Sequence, residues 1–203
     1  MMLSLEEGKI AVRFARSVID SYVENKELKK IDFSKKFDEK SGAFVTILTY
    51  PNHDLRGCIG IPEPIYELKQ AIEEAARSAT RDPRFPPLSK DELGRVIVEV
   101  TILTPPKIIK VDNPKEYLSE IKIGRDGLIA ERGFYRGLLL PQVPVEWNWD
   151  VEEFLSQTCM KAGLPPDAWF EKNTKIYRFS GQIFAEKEPH GEIEERRIDR
   201  EGN

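Results

Sequence analysis

Residues 42–50 and 55–61 are two β-forming runs separated only by Pro51-Asn52-His53-Asp54, and that spacing leaves them one way to pair. Parallel neighbours need a long crossover, whereas antiparallel strands close through a tight loop. Phe44, Val45, Thr46, Ile47 and Leu48 suit a pleated strand, and the four linking residues are turn formers. The expectation is an antiparallel hairpin. Short turns join the later β runs as well. The predicted class is therefore α+β (mixed α/β): a largely antiparallel sheet flanked by helices.

Helical periodicity fills the gaps. Ser4 and Glu7 form a capping box before Ile10, Ala11, Phe14, Val18 and Tyr22, and Asn25 is the stop. Residues 26–40 are charged and read as a solvated connection. Pro64 suits the first turn of a helix carrying Leu68, Ala71, Ile72, Ala75, Ala76 and Ala79, which ends before Pro83. Ser89 and Glu92 cap a short helix, and Val96 to Thr104 is the strongest strand. Strands are predicted near 121–124, 127–131 and 135–140. Asp150, with Glu153, caps a helix whose Val151, Phe154, Leu155 and Cys159 face inward and which Gly163 ends. Thr174 to Ala185 is the last strand. Residues 4–185 read as one domain, and the charge-rich stretch 186–203 reads as a tail that frays.

Composition narrows the classes of function. Of 203 residues, 33% are charged, above the ~25% common in globular chains, and Lys and Glu supply the excess. Ion-pair networks gain value with temperature, so this hints at a hot-growing source. A net charge of −4 argues against a phosphate-neutralising surface for nucleic acid. Cys58 and Cys159 form no Cys-x-x-Cys, which points to a reducing cytosol. Neither an apolar run of ~18 residues nor a basic-then-apolar leader is visible, so a soluble cytoplasmic protein without a membrane partner is expected. Phosphate-binding Gly-rich loops, Gly-x-Ser-x-Gly and His-Glu-x-x-His are absent.

The segment Leu55-Arg56-Gly57-Cys58-Ile59-Gly60-Ile61 is the best candidate site. Alternation places Arg56, Cys58 and Gly60 on one face. Glycine weakens a strand and often marks close approach of a ligand or another segment, so Gly57 and Gly60 need a reason. In the functional reading Arg56 clamps an anionic group and favours a Cys58 thiolate. In the structural reading Cys58 is a small buried hydrophobe and Arg56 a brace paired to a carboxylate. Glu146 is a candidate general base if its loop folds over Cys58. His53 lies in the hairpin loop, which projects away from the strand, and His190 lies in the tail. The two cysteines and two histidines lack zinc-ligand spacing, so neither metal nor cofactor is expected.

At these residues the sequence resembles the AMMECR family. Leu55-Arg56-Gly57-Cys58-Ile59-Gly60 carries the resemblance, joined by Arg81-Asp82-Pro83-Arg84-Phe85, Leu139-Leu140-Pro141-Gln142-Val143, and the stretch from Trp149 through Pro165. The resemblance covers nearly the whole chain. It implies an antiparallel sheet with helices around it, a smaller subdomain, and a cleft near the hexapeptide. Relatives are sometimes encoded beside radical-SAM and Memo-type proteins, which implies a functional association with such partners.

Three hypotheses follow. Binding of a protein partner or small anionic ligand around the hexapeptide ranks first, through Arg56, Gly57, Gly60, Arg84 and Trp149. An enzyme using Cys58, with Arg56 as anion clamp and Glu146 as base, ranks second, because no complete acid–base constellation can be assembled. Nucleic-acid binding ranks last.

Overall fold

The first helix, α1 (Leu5–Glu24), carries at both ends the signals read from the sequence. Ser4 accepts the Glu7 amide, the Glu7 carboxylate accepts the Ser4 amide at 2.9 Å, and Asn25 closes the helix in left-handed conformation at φ 54°. The computed structural model describes residues 2–28 and 30–196. They divide into two units, one made of 2–104 with 182–196 and the other of 105–181.

In the first unit, β1 (Ala43–Thr49) and β2 (Leu55–Ile61) form the expected antiparallel hairpin, registered from Ala43↔Ile61 to Ile47↔Gly57. The register then shifts to Leu48↔Leu55, leaving Arg56 as the extra residue of a bulge. Next comes α2 (Leu68–Ala79), whose buried stripe of Leu68, Ala71, Ile72, Ala75, Ala76 and Ala79 matches the periodicity. It starts later than Pro64 suggests, because Ser41 donates its amide to Tyr66 O and Leu68 donates to Glu39 O, holding the turn at 63–66 and Glu67 out of the helix. Residues 90–95 wind as a 3₁₀ turn capped by the Ser89–Glu92 box. β3 (Val96–Leu103) pairs antiparallel with β1. Phe14, Val18, Phe37, Val45, Ile47, Ile72, Val98 and Val100 make the core of this unit.

The second unit contains β4 (Lys107–Ile108), α3 (Tyr117–Glu120), β5 (Asp126–Arg132), β6 (Tyr135–Leu139), α4 (Val143–Glu146) and α5 (Val151–Lys161). It also takes the first half of β7 (Lys175–Glu186), whose residues 175–180 pair with β5 and whose Tyr177 and Arg178 pair with β4. Leu128, Phe154, Leu155, Cys159, Trp169 and Ile176 form its core. The strand predicted near 121–124 is instead a turn: Asp126 donates its amide to Lys122 O, and its carboxylate accepts the Lys122 amide. At α5, Asp150 accepts the Glu153 amide at 2.8 Å, but the Glu153 carboxylate turns to Gln157, so only half of the expected capping box forms.

Residues 182–186 of β7 return to the first unit, where the strand order is β2-β1-β3-β7 and β8 (Ile193–Arg196) pairs with β7. Fraying was expected from residue 186 onward. Through residue 196 the chain instead reverses at 187–192 and pairs, because Ile193 is buried and Glu186 has a buried partner. The rest of the expected tail, 197–203, lies outside the described residues. Arg16 donates Nε to Glu186 Oε1 at 3.0 Å and Nη2 to Oε2, and further to Val96 O and Leu93 O. Glu186 also accepts the Val98 amide at 2.9 Å.

Candidate functional site

β2 ends the strand order of the first unit, so alternate residues direct their amide and carbonyl groups away from β1. At Cys58 two side chains fill that open edge. Asp82 accepts the Cys58 amide at 2.9 Å, and Arg84 donates Nη2 to the Cys58 carbonyl at 3.2 Å. The two partners are locked together: Arg84 donates its amide and Nε to Asp82 Oδ1, each at 3.0 Å, and Nη2 to Oδ2 at 2.6 Å. One carboxylate and one guanidinium thus replace a neighbouring strand at this residue. Pro83 helps by ending α2, which turns Asp82 and Arg84 back toward β2.

On the outer face of the sheet the register aligns three side chains across three strands. Cys58 lies opposite Thr46, and Thr46 lies opposite Glu99. Thr46 donates its hydroxyl to the Cys58 sulfur at 3.3 Å. Glu99 accepts Nη1 of Arg196 at 3.3 Å.

Burial pushes the Cys58 thiol above its ordinary value; the Thr46 hydroxyl and Arg84 counter this in part, while Glu99 and Asp82 add to it. Burial also raises the Glu99 carboxyl, with Arg196 opposing. The Asp82 carboxyl is held well below the usual range, first by Arg84 and then by the Cys58 and Arg84 amides. The surroundings of Cys58 thus favour the neutral thiol, with the Arg84 guanidinium fixed beside it and the raised Glu99 carboxyl across Thr46.

Arg56 does not act on the thiol. It donates Nε and Nη2 to the two oxygens of Glu92 at 2.7 and 3.1 Å, which, with Ser89, holds the Glu92 carboxyl at about 2. The arginine beside Cys58 is Arg84. Phe85 lies between the two, its ring centroid 5.9 Å from the Arg56 guanidinium carbon and 5.7 Å from that of Arg84.

Both glycines answer to packing. A side chain at Gly57 would strike the carbonyl of Ala79 at the end of α2, and one at Gly60 would strike the Phe44 ring across the hairpin. The structure thus brings Arg56, Gly57, Cys58, Gly60 and Arg84 into one region of the first unit. Glu146 and Trp149 belong to the second unit, where burial raises the Glu146 carboxyl and Trp149 stacks on exposed Trp147 at 6.1 Å. His53 sits exposed in the hairpin loop at φ 62°.

Sequence reasoning missed Thr46 and Glu99. A signal for Glu99 exists: it is the one charged residue of Val96–Leu103. Counting register outward from the hairpin loop would not have set Thr46 opposite Cys58, because the bulge at Arg56 shifts the pairing by one residue.

A profile of the family described as AMMECR1 matches residues 12–184. Protein MJ0810 of Methanocaldococcus jannaschii is 60% identical over 198 residues, spanning 97% of this chain and 98% of its own. Protein MK0488 of Methanopyrus kandleri is 53% identical over 197 residues, spanning 96% and 95%. Relatives of this kind come from thermophilic archaea, in keeping with the high charge content. The crystal structure of the uncharacterised protein PH0010 from Pyrococcus horikoshii superposes with a TM-score of 0.83 at 49% identity, covering 96% of this chain and 98% of that one. A match in sequence and fold over nearly the whole length places this chain in the AMMECR1 family.

Proposed function

We propose that the outer face of the β1–β2 hairpin around Cys58 is a binding surface for an anionic group, carried by a small ligand or by a protein partner. The observation that supports this reading is the state of Arg84. Asp82, itself almost fully buried, fixes the guanidinium at several points, yet 55% of the Arg84 side chain remains exposed beside Cys58. A cation whose orientation is set in advance loses little freedom on meeting a carboxylate or phosphate. Arg56 acts behind it as a brace. A partner of the radical-SAM or Memo type, which the family resemblance implies, would meet the same face. Free Cys58 and Cys159, and the lack of a helix long and apolar enough to cross a membrane among the described residues, support a cytoplasmic setting.

The test is calorimetric titration with a panel of small carboxylates and phosphate esters. Saturable binding that Arg84→Ala removes and Cys58→Ala retains is the expected result. Binding by no member of the panel, or binding indifferent to Arg84, overturns the small-ligand form. Loss of any protein partner from pull-downs with Arg84→Ala tests the other form.

Catalysis at Cys58 is the second reading, and the Cys58–Thr46–Glu99 row favours it. A raised carboxyl two strands from a thiol, with the Thr46 hydroxyl between them, is a row along which a proton could be relayed. Loss of function in cells with Glu99→Gln and with Cys58→Ser, each folded and each still binding the ligand, would move catalysis to first place.

A further inference from the structure

The Asp82–Arg84 pair fills the open edge of β2 at Cys58 and no further. Cys58 directs its amide and carbonyl away from β1, and in an antiparallel ladder the residue two places on does the same. That residue is Gly60, opposite Phe44. Neither its N–H nor its C=O has a hydrogen-bond partner among the described residues. Gly60 is partly exposed, and what a glycine exposes is backbone. Pro62, the next residue facing the same way, has no N–H to donate. The usable edge is thus a single residue, bounded by a proline on one side and a fixed guanidinium on the other. That guanidinium has a group to spare. Nε and Nη2 of Arg84 are committed to Asp82 and the Cys58 carbonyl, whereas Nη1 donates to nothing among the described residues.

The order of these groups along the edge selects what fits. An extended chain that adds to a sheet edge exchanges two main-chain hydrogen bonds with each outward-facing residue. A chain that pairs with Gly60 and continues toward Cys58 runs into Asp82 and Arg84, so it must end there. An end that stops at a fixed cation is the carboxyl end, because a guanidinium attracts a carboxylate and repels a terminal ammonium. Such a chain enters beside Pro62 and runs antiparallel to β2. Its penultimate residue lies opposite Gly60 and its last residue opposite Ile59, which brings the terminal carboxylate to the Nη1 side of Arg84.

We infer that the β2 edge captures the C-terminus of an extended peptide, pairing its penultimate residue with Gly60 and its carboxylate with Arg84. The inference rests on the anion-binding reading of Arg84 given above and names the class of anion. Recognition through main chain and carboxylate needs no particular side chain, so a plain peptide is an adequate probe.

The test follows the Gly60 amide by NMR in the full chain carrying isotope-labelled glycine, with Gly60→Ala identifying its signal. The probes are N-acetyltetraalanine, its C-terminal amide, its analogue N-methylated at the penultimate residue, and N-acetylalanine. The expected result is saturable binding of N-acetyltetraalanine that moves the Gly60 signal. Affinity should fall at least tenfold for each of the other three probes, and likewise in Arg84→Ala. Binding that leaves the Gly60 signal in place, or that is as tight for the amide or the N-methylated analogue, overturns the inference. N-Acetylalanine binding as tightly as the tetrapeptide, and lost in Arg84→Ala, overturns the peptide but leaves the anion reading standing. So does failure of the tetrapeptide where a small carboxylate or phosphate ester binds at Arg84. Failure of every probe and of the whole small-ligand panel overturns both.

Discussion

The Asp82 carboxylate accepts the backbone N–H of Cys58 at 2.9 Å, closing an open strand edge with a side chain from 24 residues downstream. Asp82→Ala leaves that amide and the Arg84 guanidinium without their shared partner and should cost about 3 kcal/mol in urea unfolding at pH 7. The pH dependence has a definite sign. The folded carboxyl lies below its unfolded value of about 3.9, so its contribution is complete above that value and is lost as pH falls from there through the lower folded value. Asp82→Asn should flatten the acid limb of the stability profile. A wild-type slope retained in that variant would refute the assignment.

The two glycines of the hexapeptide should respond differently to alanine. At Gly57 the obstacle is backbone, the Ala79 carbonyl, and an overpacking cost of about 3 kcal/mol is expected. At Gly60 the obstacle is the Phe44 ring, which can turn aside, so about 1 kcal/mol is expected. Phe44→Leu combined with Gly60→Ala should recover part of that loss. Denaturation midpoints of the three variants check the ranking.

Alkylation of Cys58 should be slow at pH 7 and rise only at alkaline pH. Cys159→Ser removes the second thiol, which burial drives to about 11. Thr46→Val should move the Cys58 midpoint further up, and Glu99→Gln should move it down by removing a facing anion. A midpoint below the ordinary ~8.5 in the parent protein would restore the activated-nucleophile reading.

Arg16 and Glu186 retain only 6% and 3% side-chain exposure. Removing either one alone strands a buried charge, so Arg16→Ala or Glu186→Ala should cost about 4 kcal/mol. Arg16→Met with Glu186→Met should restore much of the loss, because neither charge then remains. Calorimetric melting of the three variants decides it.

What the sequence revealed and what it hid follow one division. Features set within a few residues were legible: the Ser4–Glu7 box, the Asn25 stop, the hairpin and the apolar stripe of α2. The candidate strand was legible too, since two glycines beside an arginine and a cysteine are unusual in a β run. The partners of those residues were not. Glu92 lies 36 residues from Arg56, and nothing local favours it over Asp82. The need for Gly57 depends on where α2 ends, and β8 was hidden because the buried role of Glu186 depends on Arg16, 170 residues away.

That last separation has a consequence for synthesis. The first unit is interrupted in sequence: residues 2–104 leave the ribosome before the strand that completes them, and 182–196 arrive after all of 105–181. Until then Arg16 has no Glu186 and β3 has no β7 beside it. The nascent N-terminal half must wait, with Arg16 lacking its bidentate partner and an open β3 edge, while the segment 105–181 emerges uninterrupted.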